Sequence, residues 1–142
     1  MTTSEQLCQI MAAQADLMDA ITEVLGQTQT ALLNSDGAAL ELCTAREEEL
    51  LHPFHDLEVE RIRCVQEMKP GTGSIPEILE DLPDGHRETV RELASRMKDS
   101  AQKIVELNSM NTILLTNAHR FVQETLRVIT NDHRRKLVDE RI

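Results

Sequence analysis

The sequence predicts an all-α protein, an elongated antiparallel helical hairpin or coiled-coil bundle of three main helices with a short connector helix. Two observations carry that prediction. Aromatic residues make up 1% of the 142 residues, with no Trp or Tyr and only Phe54 and Phe121, while Leu, Ile, Val, Ala and Met supply most of the 40% apolar content. That composition disfavours sheets and suits helices. Apolar residues also recur at alternating spacings of three and four over three long stretches, the signature of an amphipathic helix. The length fits one domain spanning 1–142.

The first stretch, about 4–34, repeats through Leu7, Ile10, Gln14, Leu17, Ile21, Val24, Thr28 and Ala31, with Met11, Met18, Leu25 and Leu32 widening the stripe. A stripe that broad buries more than a two-stranded coiled coil requires, so this helix is expected to pack on more than one neighbour. Ser4 is the expected N-cap, and "NSDG" at 34–37 is the break. The second stretch, about 36–68, repeats through Leu40, Cys43, Glu47, Leu50, Phe54, Leu57, Arg61, Cys64 and Met68. Pro53 lies inside it, lacking an N–H and crowding the carbonyl of Glu49. Because the apolar spacing keeps its phase across the proline, one bent helix is expected rather than two.

The connector, 69–83, holds three of the four prolines, and "SIPE" from Ser74 to Glu77 has the form of a capping box opening a short helix over "PEILED". The third stretch, about 84–130, is the longest. Its repeat runs through Val90, Leu93, Met97, Ala101, Ile104, Asn108, Asn111, Leu115, Ala118, Val122, Thr125 and Ile129, and Leu107, Leu114, Phe121 and Val128 form a parallel stripe at heptad spacing. Such a helix is roughly 65–70 Å long, more than two shorter helices can cover. A basic tail, 131–142, gathers His133, Arg134, Arg135 and Lys136.

The formal net charge of −10 argues against nucleic acid and anionic membrane as main partners. No Lys or Arg precedes Arg46, so the first helix presents an acidic face. Cys8, Cys43 and Cys64 are widely spaced without a CxxC, which reads as reduced cysteines in a cytoplasmic protein. No apolar run approaches the ~18 residues of a membrane span, and no membrane insertion is expected.

Catalytic chemistry is sparse. Glu49 and His52 have the i,i+3 spacing of di-metal bundles, but no second Glu-x-x-His exists. A zinc set from His52, His55 and a distant cysteine needs the proline kink to aim it. His52, His55, His86, His119 and His133 are candidates for phosphotransfer by residue type alone. Gly-rich phosphate loops, Ser–His–Asp spacing and HExxH are absent. The expectation is a non-enzyme without cofactor or metal, and the rival readings are a coiled-coil adaptor or secretion chaperone and a histidine phosphotransfer bundle.

"KIVELNSMNTILL", 103–115, interrupts the pattern, because Asn108 and Asn111 stand at successive seam positions, with Asn117 further on. A seam amide can fix register. Two make a polar notch, and each buried amide must find partners or cost about 1–3 kcal/mol. Register pins and a partner-binding edge both account for that spacing.

The chain resembles the FlgN-type flagellar export chaperones. "KIVELNSMNTILLTNAHRFVQETL", 103–126, carries a Leu-Asn-x-x-Asn-x-x-Leu-like core at Leu107, Asn108, Asn111 and Leu114, followed by an apolar run, and "LELCTAREEELLHPFHDLEVERIRCV", 40–65, is similar to the family's second helix. Pro53 departs from the plainer helix expected there. The resemblance implies a small, acidic, cytoplasmic helical chaperone that binds the C-terminal helical segments of the two hook–filament junction proteins. It would keep them from premature assembly and deliver them to the flagellar type III export apparatus. It places the binding surface on Leu107, Asn108, Asn111, Leu114, Leu115, Ala118, Phe121, Val122, Thr125 and Val128, with self-association in the absence of cargo as a further expectation.

Overall fold

A computed structural model describes the backbone of residues 1–141 and their side chains apart from those of residue 137 and 139–141. The described residues form helices α1 (Thr3–Leu33), α2 (Gly37–Met68), α3 (Ile75–Ile78) and α4 (Asp84–Arg141), with a 3-10 turn over Leu79–Asp81 after α3, and no strand occurs among them. The all-α bundle expected from the stripes is what the chain adopts.

α1 is the central helix. It packs along its length against both α2 and α4, which touch each other little. The polar bonds set the directions. Gln14 Nε2 donates to Glu58 Oε2 at 2.8 Å and Thr28 Oγ1 to Glu47 Oε1 at 2.7 Å, so α2 runs antiparallel to α1. Ser4 pairs with His86, Ser100 donates to Asp19, and Asn111 to Leu25, so α4 runs parallel to α1. Covered on two sides, α1 buries twelve residues, among them Leu7, Met11, Ile21, Val24, Leu25 and Ala31 from the expected stripe. α2 packs mainly on α1 and buries only Cys43, Leu50, Cys64 and Val65.

Two apolar clusters follow. At the N-terminal end of α1, Leu7, Ile10 and Met11 meet Cys64 and Val65 of α2, Val90 of α4 and the connector's Ile78 and Leu82. Near the other end, Ile21, Val24 and Leu25 meet Cys43 and Leu50, with Ile104 and Leu107 packed against them. All three cysteines are free thiols, and burial pushes Cys8 and Cys64 above the ordinary thiol range.

The connector closes the first end. Its own backbone carbonyls converge on Arg87, whose Nε donates to Leu79 O at 2.9 Å and whose Nη2 donates to Leu82 O at 3.0 Å. Ser74 is the N-cap of α3 by backbone geometry, but its hydroxyl makes no capping bond, so the expected capping box does not form. The working box lies at Thr2, which accepts from Glu5 N at 3.1 Å while its own N–H reaches Glu5 Oε2. Thr2 rather than Ser4 is therefore the cap of α1, and Ser4 is buried against His86.

At the opposite end the "NSDG" break is tight. Asn34 caps α1, Ser35 takes the left-handed conformation (φ 53°), and Asp36 accepts from Ala39 N at 3.1 Å to open α2. Pro53 is exposed and α2 passes through it as a single helix. α4 does not stop near residue 130 as expected. Without Gly or Pro after Pro83 and Gly85, nothing in the basic tail breaks it, and it continues to Arg141.

Candidate functional site

α1 has 31 residues and α4 has 58, so at 1.5 Å per residue α4 outreaches its parallel neighbour by roughly 40 Å. The excess lies beyond the α1–α2 turn. From Leu115 onward every described side chain is exposed, and the apolar ones stay in phase: Phe121 is 70% exposed, Leu126 58% and Val128 61%. Among the described residues none covers this helical stripe, which its apolar residues still maintain.

The overhang begins at a groove. Because α2 and α4 make little contact with each other over α1, a depression of about 220 Å³ opens between Thr28, Leu32, Leu40, Glu47, Asn108, Asn111 and Leu115. A second of about 410 Å³ follows toward the turn, lined by Ala31, Leu32, Asp36, Leu40, Leu115, Ala118, Phe121 and Val122. Sharing Leu32, Leu40 and Leu115, the two read as one groove running out onto the overhang.

The sequence-predicted site residues separate into two sets. Leu107 packs against the second cluster, Leu114 is half-buried, and Asn111 is buried with its Nδ2 donating to the backbone carbonyl of Leu25 at 3.0 Å. Asn111 Oδ1 has no partner. Asn108, Leu115, Ala118, Phe121, Val122, Thr125 and Val128 are exposed, the first three and Phe121 and Val122 along the groove. The expected pair of seam amides is thus corrected to one. The inward row of α4 is Ile104, Leu107, Asn111 and Leu114, and Asn108 lies at its edge because a 3.6-residue turn cannot hold both on a single line.

The flanking chemistry is acidic on one side and basic on the other. Asp36 and Glu41 stand at the turn, and Arg120, Arg127, Arg134, Arg135 and Lys136 are exposed on the overhang. The polar seams behind the groove were half legible: Gln14, Thr28, Glu47 and Arg61 all fell in the expected stripes, whereas Glu58, which accepts from both Gln14 and Arg61, carried no periodic signal. Arg61's hydrogen bond holds the Glu58 carboxyl below its ordinary range. Arg96, bridging Asp16 and Asp19 across α1 and α4, does the same for Asp19.

Among the described residues no group of three or more His, Cys, Asp and Glu gathers into a metal site, and Glu49, His52 and His55 lie exposed on α2. No helix is long and apolar enough to cross a membrane among them.

The described residues thus form a helical bundle in which an apolar groove runs out onto an uncovered stretch of α4. The family model for the FlgN protein matches residues 1–137, and the chain belongs to that family, one of flagellar export chaperones. Neither the curated proteins nor the solved structures give a match.

Proposed function

We propose that this protein is a cytoplasmic, non-enzymatic chaperone of flagellar type III export whose cargo is the C-terminal helical segments of the hook–filament junction proteins. The observation that carries the proposal is the overhang, where Leu115, Ala118, Phe121, Val122, Thr125 and Val128 keep an exposed apolar helical face. An amphipathic cargo helix laid in the groove would cover that face by helix-in-groove recognition. It would become a fourth helix over α1, between α2 and α4. Covered in this way, the cargo segment is withheld from its own assembly partners until the export apparatus takes it.

The reading is tested by titration calorimetry with the C-terminal segment of a hook–filament junction protein. Phe121 is an exposed aromatic on the proposed surface, and truncating such an anchor costs a complex about 2 kcal/mol or more, roughly thirtyfold in affinity. Phe121→Ala is expected to lose that much affinity at an unchanged melting temperature. Parent-like binding by the variant would remove the overhang as the cargo surface.

A further inference from the structure

The chain exposes 9718 Å², whereas a compact monomer of 16.1 kDa exposes about 7,400 Å². The excess, about 2,300 Å², exceeds the ~1,600 Å² total that a standard-sized interface buries. Much of it lies on the overhang, where Phe121, Val122, Leu126, Val128 and Ile129 are each more than half exposed. Most helical stability in a protein comes from packing an amphipathic face. The overhang therefore gains from any cover of matching length.

Charge identifies the cover. Residues 1–45 hold six acidic residues and no Lys or Arg, with Asp36 and Glu41 at the α1–α2 turn beside the base of the overhang. Residues 119–141 hold six Lys and Arg against Glu124, Asp132, Asp139 and Glu140, and three of the six cluster near the tip as Arg134, Arg135 and Lys136. One end of the exposed stripe is thus acidic and the other basic. Two overhangs side by side in the same direction would set tip against tip and turn against turn. Reversed, they set each basic tip against an acidic turn.

We propose that the free protein forms a two-fold dimer in which the overhangs of two copies lie antiparallel, the Arg134–Lys136 tip of each reaching the α1–α2 turn of the other. An overlap from about residue 118 to 138 spans roughly 30 Å. The same patch contacts itself across the two-fold axis, so the assembly closes at two copies and leaves no growing end. The dimer stands on exposure and charge alone. A further step, that cargo must displace the second copy, rests on the function proposed above, and it makes self-association the cover that keeps the surface soluble between cargoes.

Sedimentation velocity of the full chain tests this from 5 to 100 µM in 50 and 500 mM NaCl. Expected is a dimer at low salt that weakens at high salt. Arg134→Glu/Arg135→Glu/Lys136→Glu is expected to raise the dissociation constant at least tenfold with unchanged helicity. Glu41→Lys should do the same while sparing Asp36, which caps α2. Mixing the two variants should restore a heterodimer, since each reversed tip then meets a reversed turn. A monomer at 100 µM in 50 mM NaCl overturns the proposal, as does a dimer that neither charge reversal weakens. Adding the cargo segment is expected to release monomer as a one-to-one complex. A dimer that persists with cargo bound overturns the shared surface, and an intact dimer that binds no cargo tells against the cargo reading alone.

Discussion

Asn111 and Asn108 are three residues apart on the same helix and do different work. Asn111 must point its Nδ2 at the Leu25 carbonyl, since only the amide nitrogen can donate, and this leaves Oδ1 buried without a donor. The net value of such a side chain is small, because one modest hydrogen bond is set against one unsatisfied acceptor. Asn111→Leu removes both together and keeps nearly the same volume, so the melting temperature is expected to hold or rise. Asn111→Ala removes both and leaves a gap as well, at a cost of about 1 kcal/mol or more. Asn108 is exposed, and Asn108→Ala is expected to leave the melt unchanged. Periodicity brought both amides to notice but could not separate them. A row spaced by threes and fours passes almost equally well through Leu107 or Asn108, and the choice falls to where α1 lies.

At the scale of the element, the stripes were the most legible feature and the helix ends the least. α1 shows why, since its broad apolar face required two neighbours and has them in α2 and α4. Caps depend instead on which of several candidate hydroxyls the chain reaches first: Thr2 and Ser4 both precede the stripe, and only Thr2 has a glutamate three residues on, at Glu5. The end of α4 was misplaced because a basic run looks like a tail, whereas continuation requires only the absence of a breaker. Pro53 is the converse case, a breaker that does not break α2. Its missing N–H leaves the Glu49 carbonyl without its usual i+4 donor, and its exposure means that no packing depends on the ring. Pro53→Ala restores that donor and is expected to stabilise the protein by about 1–3 kcal/mol in urea denaturation. A loss of that size would instead show that the ring shapes α2 for its contact with α1.

For the whole molecule, the three helices are registered by polar pairs that titrate in acid. Glu58, held by Arg61 and Gln14, and Asp19, held chiefly by Arg96, both have folded-state pKa values below their free ones. A depressed carboxyl contributes stability above its unfolded pKa and loses it as pH falls through the folded value. Stability is therefore expected to be level from pH 7 to about 5 and to decline below about 4.5. Urea midpoints measured against pH should show Glu58→Gln with a shallower decline than the parent.

Shape is the second whole-molecule consequence, and it tests the overhang without any partner. A compact chain of this length has a radius of gyration of roughly 14–15 Å, but a single helix of 58 residues extends about 87 Å. Scattering from the dilute chain in high salt is expected to give about 20 Å or more. Because every described side chain from Leu115 on is exposed, the overhang adds length and little stability. A chain ending at residue 122 keeps the groove and should melt within a few degrees of the parent while its radius of gyration falls by several ångström. If that truncation instead unfolds the bundle, the overhang folds back onto α1 and α2 in solution, and the face proposed for cargo is part of the core.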